Sequence, residues 1–219
     1  MSPSSMIKPE GCLAMVSSHE ESSSLLKEIR ECDLCRKYSK HTPFVYGSCG
    51  ADLLVVSEMP PRKAWDDNIG EKWRKDLFAC REKGAPHTLC EWLGMKKEEA
   101  RERFFWIQRA NCYVNEGKEY AFQHCSSKYI PRAISLVRPK VIIILGRSAA
   151  QYFTQFEKLE DAMEKTIKEG VEYKVGDKEY PCFVLYHPSP ANPKRKTEIQ
   201  KEVLNKLKAH LVVRPSNET

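Results

Sequence analysis

A histidine and a serine lie on a proline-rich stretch with little backbone freedom, the sequence HPSP at residues 187–190. The apolar run FVLY at residues 183–186 precedes it, and this run is long enough for a strand but too short for a helix. The two prolines fix φ and are incompatible with both a helix and a central strand. The pattern predicts a stiff loop that presents His187 and Ser189 at the carboxyl end of a strand, where open α/β sheets bind ligands.

Two other predicted strands also end in residues that can do chemistry. The apolar run at residues 52–57 predicts a buried strand, and Glu58 follows it directly. A second run at residues 104–108 predicts a strand that ends near Asn111 and Cys112. Strand and helix patterns alternate along the chain, which predicts a mostly parallel sheet with right-handed crossovers. Because parallel strands end on the same side of a sheet, we expect these residues and the histidine loop to share one edge.

The composition is that of an ordinary globular protein with some preference for an anionic partner. The chain has 219 residues, of which 41% are hydrophobic and 30% are charged. Its net charge of +6 and its isoelectric point near 8.8 mildly favour an acidic partner. It has no apolar run long enough to span a membrane and no secretory pattern at its start. We therefore expect an intracellular, cytoplasmic protein.

One folded domain is predicted over residues 22–212, between a disordered N-terminal extension at 1–21 and a flexible tail at 213–219. A further strand is predicted at 141–145 and a hairpin at 171–175 and 179–186. Helices are predicted from about residue 24 and over about 71–82, 87–94, 96–103, 126–137, 148–156 and 195–210.

Nine cysteines without a secretory pattern argue against a disulfide framework. In a reducing compartment, clustered cysteines more often bind metal or carry out redox chemistry. Cys32 and Cys35 form a CxxC at the end of a predicted helix. By itself this motif is ambiguous between a metal site and a thiol redox site.

Four features, in the same order along the chain, resemble the uracil-DNA glycosylase superfamily, closest to its family-4 branch, which carries a [4Fe–4S] cluster. They are the CxxC with two later cysteines (Cys32, Cys35, Cys112 and Cys125), SEMPP at 57–61, RPKVIIILG at 138–146, and HPSP at 187–190. Together they cover roughly residues 25–210. The resemblance implies a three-layer α/β/α fold with a central, mostly parallel four-stranded sheet, in a monomeric DNA-repair glycosylase.

The segment after the first strand departs from the family pattern. Ser57 and Pro61 stand where the family has glycines, and the acidic pair that follows is displaced to Asp66 and Asp67. Trp73 stands where the family has a phenylalanine that stacks on uracil. A core position is the alternative for this tryptophan.

The residue that reads the base is also open. The family's base-recognising asparagine usually stands a few residues before the third cysteine. Gln108 has that spacing here, whereas Asn111 is adjacent to Cys112. Both residues are therefore candidates.

The resemblance implies that Cys32, Cys35, Cys112 and Cys125 bind a [4Fe–4S] cluster, with zinc and free thiols as alternatives. The cluster is expected to be structural, tying the N-terminal helix to the loop after the strand at 104–108. The other cysteines are interpreted as buried small residues or idle thiols; they are Cys12, Cys49, Cys80, Cys90 and Cys182.

The resemblance also assigns roles in catalysis. His187 would donate a hydrogen bond to the leaving base as negative charge develops on its O2. Glu58 would orient or deprotonate the attacking water, and Asp66 and Asp67 compete for that role. Ser189 would bind a DNA phosphate.

A basic run, Lys194-Arg195-Lys196, directly follows the histidine loop and is a candidate for gripping phosphates beside a flipped nucleotide. A solvated helix face is the alternative. The expected function is excision of uracil, or a related deaminated base, from DNA by hydrolysis of the N-glycosidic bond. Two other interpretations are a catalytically degenerate iron–sulfur protein of the same fold that binds nucleic acid, and an iron–sulfur redox or scaffold protein.

Overall fold

The computed structural model describes residues 24–38, 43–61, 72, 75–79, 84–189 and 192–212. The predicted N-terminal extension and C-terminal tail lie outside these residues, as do Asp66, Asp67 and Trp73. Half of the helix predicted over 71–82 also lies outside the described residues; of the other half, 72 and 75 are helical, whereas the prediction is wrong for 76–79, which are not helical.

A five-stranded sheet forms the centre of the protein, with the strand order β2-β1-β3-β5-β4. The strands are β1 (Leu53–Ser57), β2 (Phe104–Gln108), β3 (Val141–Leu145), β4 (Val171–Val175) and β5 (Lys178–Leu185). Four of them are parallel, and β4 pairs antiparallel with β5. The mostly parallel sheet is confirmed, but it has five strands rather than four. The additional strand is the first arm of the predicted hairpin, which joins the edge through a tight turn at Gly176, where φ is +59°.

Every residue of β1, β2 and β3 is buried, which requires cover on both faces of the sheet. The apolar and β-branched composition of these strands suits that position. By contrast, β4 alternates between more and less buried residues, as expected for an edge strand with one face toward solvent. The three-layer α/β/α arrangement follows from this double cover.

Seven α-helices surround the sheet in the described part of the chain. They are α1 (24–31), α2 (Ala85–Leu93), α3 (Lys97–Arg103), α4 (Lys118–Val137), α5 (Arg147–Thr154), α6 (Leu159–Lys168) and α7 (Glu198–Val212). In the described residues no helix is long and apolar enough to cross a lipid bilayer.

Three helices differ from the sequence predictions: one begins earlier, one was not predicted, and one is divided in two. Helix α4 begins eight residues before the predicted start at 126, so Cys125 lies inside a helix rather than in a loop. Helix α6 was not predicted, although its buried residues Leu159, Ala162, Met163 and Thr166 have the i, i+3, i+4, i+7 spacing of an amphipathic helix. The last predicted helix is divided into a 3₁₀ turn, Pro193–Lys196, and α7, with Thr197 between them.

The topology leaves a crevice at the carboxyl ends of β1 and β3. These strands are neighbours, but the chain leaves β1 toward β2 on one side and leaves β3 toward β5 on the other. Because the two connections diverge, the described residues leave a space above the boundary between the strands. Such a switch point is the usual ligand site of an open α/β sheet.

Candidate active site

A cleft of about 570 Å³ opens at this switch point. Its walls come from the ends of three parallel strands and from α6. The lining includes Glu58, Gly146, Glu160, Tyr186, His187 and Asn192. The predicted convergence of strand-end residues on one edge is therefore confirmed for Glu58 and His187.

The His187 side chain is half-buried and neutral at physiological pH, because burial lowers its pKa to about 4. Its Nδ1 accepts a hydrogen bond from the backbone N–H of Ser189 at 3.2 Å. A neutral imidazole that accepts at Nδ1 carries its proton on Nε2. The ring can therefore donate one hydrogen bond without carrying a positive charge.

Two polar side chains hold the backbone on either side of His187. The buried Gln200 of α7 accepts a hydrogen bond from the Tyr186 backbone N–H at 2.9 Å. The Asn192 amide donates to the His187 carbonyl oxygen at 3.2 Å, and its own side-chain oxygen accepts from the Lys194 N–H. The loop is therefore fixed by these contacts as well as by its prolines.

Gly146 allows the end of β3 to approach His187. Its φ is +87°, and a Cβ added there would lie 3.4 Å from the His187 Cβ. A side chain at this position would strain the backbone and crowd the imidazole. The glycine after the VIIIL strand therefore has a steric reason to be there.

Glu58 is exposed at the mouth of the cleft. Its carbonyl oxygen accepts a hydrogen bond from Ala110 N–H, which joins the loops after β1 and β2. Among the described residues, its carboxylate has no ion-pair or hydrogen-bond partner. A carboxylate in this position is available to water or to a bound molecule.

Gln108 and Asn111 are buried at the end of β2 and are not part of the cleft lining. The Asn111 side-chain oxygen accepts a hydrogen bond from the Gln108 backbone N–H at 3.1 Å. In the described part of the chain, Gln108 Oε1 and Asn111 Nδ2 have no hydrogen-bond partner. One acceptor and one donor thus remain unpaired next to β1.

Ser57, which stands where the family has glycine, has a partner in the neighbouring strand. Its hydroxyl accepts a hydrogen bond from the Trp106 indole N–H at 3.0 Å, and both residues are buried. A buried indole N–H normally needs such a partner. The substitution is thus accommodated within the core of the sheet.

Arg109 is a residue that the sequence reasoning did not single out. Its guanidinium donates to the carbonyl oxygen of Ser148 at 2.7 Å and to the Ser148 hydroxyl at 3.1 Å, and it lies 4.6 Å above the Phe122 ring. Its backbone N–H donates to the Ser57 carbonyl oxygen. Arg109 therefore connects the ends of β1 and β2, helix α4 and the start of α5. An arginine directly after a buried strand, FFWIQ, is the sequence signal that could have identified it.

Cys35, Cys112 and Cys125 are buried, and Cys32 is half-buried beside them. Burial is the first cause that raises the pKa of each buried thiol, and the nearby thiols of the set raise it further. Each of the four cysteines is close enough to each of the other three for one thiol to affect the pKa of another. In the described residues, however, no group of three or more His, Cys, Asp or Glu side chains has the arrangement of a metal site. The structure thus brings the four cysteines together as thiols, and the expected cluster stays a prediction.

The basic run after the histidine loop is less free than the sequence suggests. Lys194 Nζ forms an ion pair with Glu160 of α6 at 2.6 Å, and the Tyr186 hydroxyl donates to the same carboxylate at 2.8 Å. Lys196 is exposed, whereas the Arg195 side chain lies outside the described structure. These residues lie in the 3₁₀ turn rather than in α7, and their role in binding phosphates stays a prediction.

A family model described as the uracil DNA glycosylase superfamily matches residues 44–208. A protein named type-4 uracil-DNA glycosylase from Sulfurisphaera tokodaii is 24% identical over 200 residues, which are 88% of this chain and 86% of the relative. Proteins of the same name are 27% identical in Saccharolobus solfataricus (86% and 85% covered) and 26% identical in Archaeoglobus fulgidus (77% and 85% covered). The family match spans most of the chain and includes both walls of the cleft. The chain belongs to the uracil-DNA glycosylase superfamily.

Proposed function

We propose that this protein hydrolyses the N-glycosidic bond of uracil, or of a related deaminated base, in DNA. The observation that carries the proposal is a neutral His187, with its proton on Nε2, in a cleft that also contains the unpaired carboxylate of Glu58. The choice of base is supported by the names of the three relatives, all type-4 uracil-DNA glycosylases.

His187 acts on the leaving group. As the glycosidic bond breaks, the bonding electrons move to the base and negative charge develops on its O2. A fixed neutral donor favours that charge more than it favours the neutral base, so it lowers the barrier. One such donor is typically worth about 10²–10³ in rate.

Glu58 acts on the other side of the bond. Its carboxylate orients the attacking water, accepts a proton from it, and offsets the positive charge that develops on the sugar. Its exposure and its lack of a partner among the described residues support this role, since a paired carboxylate would first have to be released. If Glu58 is replaceable, the role passes to Asp66 or Asp67.

In this proposal a flipped base reaches Gln108 or Asn111, which are buried outside the lining of the described cleft, and Trp73 stacks on it. Uracil presents an N–H donor at N3 and a carbonyl acceptor at O4, and flipped bases are recognised at this edge. The unpaired Gln108 Oε1 and Asn111 Nδ2 offer the complementary acceptor and donor. Two unpaired polar atoms at a strand end are costly unless a ligand uses them. Trp73 is proposed from the family resemblance alone.

Cys32, Cys35, Cys112 and Cys125 hold a [4Fe–4S] cluster in this proposal. The fit rests on four mutually close thiols, three of them buried. Burial opposes thiolate formation without a cation, and metal binding supplies that cation while releasing the protons. When bound, the cluster supplies a cross-link between the end of α1, the loop after β2 and helix α4.

DNA binding is assigned to the basic residues beside the cleft and to Ser189. A flipped nucleotide brings its flanking phosphates close to the histidine loop. Lys194 and Lys196 of the 3₁₀ turn, with Arg195, would neutralise them. The net charge of +6 supports this partner class.

The test is incubation of the anaerobically purified protein with end-labelled single-stranded DNA and U·G duplex, followed by alkali. Cleavage at the uracil position, lost in a Glu58→Gln and His187→Ala double variant purified in the same way, is the expected result. The double variant controls for a contaminating glycosylase. Wild-type protein that binds both DNAs and leaves the base intact would support the catalytically degenerate alternative, which the replacements at Ser57 and Pro61 favour. Protein that has no preference for uracil-containing DNA would overturn both the proposed activity and the catalytically degenerate alternative.

A further inference from the structure

The Tyr129 hydroxyl is buried and has no hydrogen-bond partner among the described residues. The residue lies on α4, one helical turn after Cys125, and only 1% of its surface is exposed. Its ring contacts His124 edge-on, with centroids 6.1 Å apart, and Lys128 Nζ lies 5.0 Å from the ring centre. A phenylalanine would make the same contacts. Among the described residues, the hydroxyl makes no hydrogen bond that meets ordinary geometric limits, so its presence needs another explanation.

Two ion pairs hold α1 against the part of α4 that contains Tyr129. Glu28 of α1 contacts Lys128 and Arg132 of α4, each at 2.8 Å, and these two residues flank Tyr129 in sequence. Cys32 follows Glu28 by four residues, just beyond the end of α1, and packs against the same core cluster that contains Tyr129 and Cys125. In agreement with this placement, burial and then the Cys32 thiol raise the pKa of Tyr129. A tyrosine hydroxyl carries its proton at neutral pH, so this one is a donor without an adequate acceptor among the described residues.

We propose that Tyr129 donates a hydrogen bond to the sulfur of Cys32 when that sulfur is a thiolate ligand, and that this bond sets the reduction potential and the stability of the iron site. The inference rests on the proposed cluster. A thiol sulfur is a weak acceptor, whereas a thiolate sulfur is a strong one, so ligation supplies the missing partner. Hydrogen bonds to ligand sulfurs stabilise the more negative, reduced state and raise the potential.

The experiment compares Tyr129→Phe with wild type and with Tyr152→Phe, all purified anaerobically. Tyr152 is the matched control, because its hydroxyl is also internal but already bonds the Ser126 carbonyl oxygen and the Tyr173 hydroxyl, each at 3.1 Å. Three quantities are measured: the midpoint potential, iron retention against a competing chelator, and the melting temperature of the iron-free proteins. Cleavage of uracil-containing DNA is measured in parallel.

Tyr129→Phe should shift the potential to a more negative value and lower the apparent affinity for iron by about 10- to 100-fold. The iron-free variant should melt at the same temperature as iron-free wild type or higher, because it loses only an unpaired hydroxyl. Tyr152→Phe should show the opposite pattern, with an unchanged potential and a lower melting temperature.

Unchanged potential and iron retention in Tyr129→Phe, with iron present in wild type, would overturn this inference and leave the proposed function intact. Wild-type protein that holds zinc, or no metal, would overturn the inference together with the cluster. If wild type does not cleave uracil-containing DNA but Tyr129→Phe shows the predicted shift in potential, only the proposed activity would be overturned.

Discussion

The pH dependence of folding stability should reveal whether His187 is held neutral. Burial lowers its pKa from 6.5 to about 4 in the folded protein, whereas the unfolded chain titrates near the ordinary value. Between these two values the unfolded state binds more protons than the native state, so the free energy of unfolding rises with pH. The contribution is fully present above about pH 6.5 and is lost as pH falls toward about 4. A shift of this size corresponds to at most about 3 kcal/mol, and partial exposure of the ring reduces it.

The perturbation is His187→Ala, compared with wild type by urea denaturation at pH 7 and near pH 4.5. Wild type should lose up to about 2.4 kcal/mol more stability than the variant over this interval, because the titration is not complete at pH 4.5. At pH 7 the variant should cleave about 10²–10³ times more slowly in a single turnover, with little change in DNA affinity. His210→Ala, which removes a histidine outside the cleft lining, is the control for general effects of losing an imidazole.

Parallel loss of stability in wild type and His187→Ala would refute the reasoning. The imidazole would then titrate in the folded protein as it does in the unfolded chain, and the donor at pH 6 would be partly cationic. The single-turnover rate would in that case change near pH 6.5. If His187 is a neutral donor, its titration should cause no change in the single-turnover rate between about pH 5 and 9.

Three further predictions concern residues outside the histidine loop. Wild type prepared without oxygen should contain about four iron atoms per chain. Cys112→Ala should lose this iron together with soluble protein, whereas Cys90→Ala in the core of α2 should keep both, as iron analysis will show. Glu160→Gln should release Lys194 and steepen the dependence of log K on log salt by up to about one unit in duplex titrations; an unchanged slope would show that this lysine faces no phosphate. Arg109→Met should lower stability to urea by about 1–3 kcal/mol, because buried acceptors lose their donor; a variant as stable as wild type would mean that solvent replaces the guanidinium.

The strands were predictable because each has a local signature. The runs at β1, β2 and β3 are continuously apolar, which is the pattern of strands covered on both faces, and the structure confirms all three. The antiparallel edge strand was predicted as one arm of a hairpin, but its membership of the central sheet was not. Sheet membership depends on how far the pairing extends beyond the turn, and no local pattern encodes this.

Helix α6 has the periodicity of an amphipathic helix, but half of its ten residues are charged and the pattern was overlooked. Its buried residues, Leu159, Ala162, Met163 and Thr166, are few, and one is polar. The helix is stabilised by packing against β5 and α7 rather than by a broad apolar face. Since the helix was missed, so was Glu160, and with it the ion pair that occupies Lys194. The basic run therefore appeared freer in the sequence than it is in the folded protein.

The sequence by itself determined the strand ends, the stiff histidine loop and the order of the cysteines, because prolines, apolar runs and cysteine spacing act through local sterics and chemistry. Only the tertiary structure decided which of these residues meet. It placed Glu58 and His187 in one cleft through the divergence of the chain at β1 and β3. It left Gln108 and Asn111 buried outside the lining, and it lowered the pKa of His187 by desolvation. Burial and proximity arise from contacts between segments distant in sequence, so they exist only once the chain has folded.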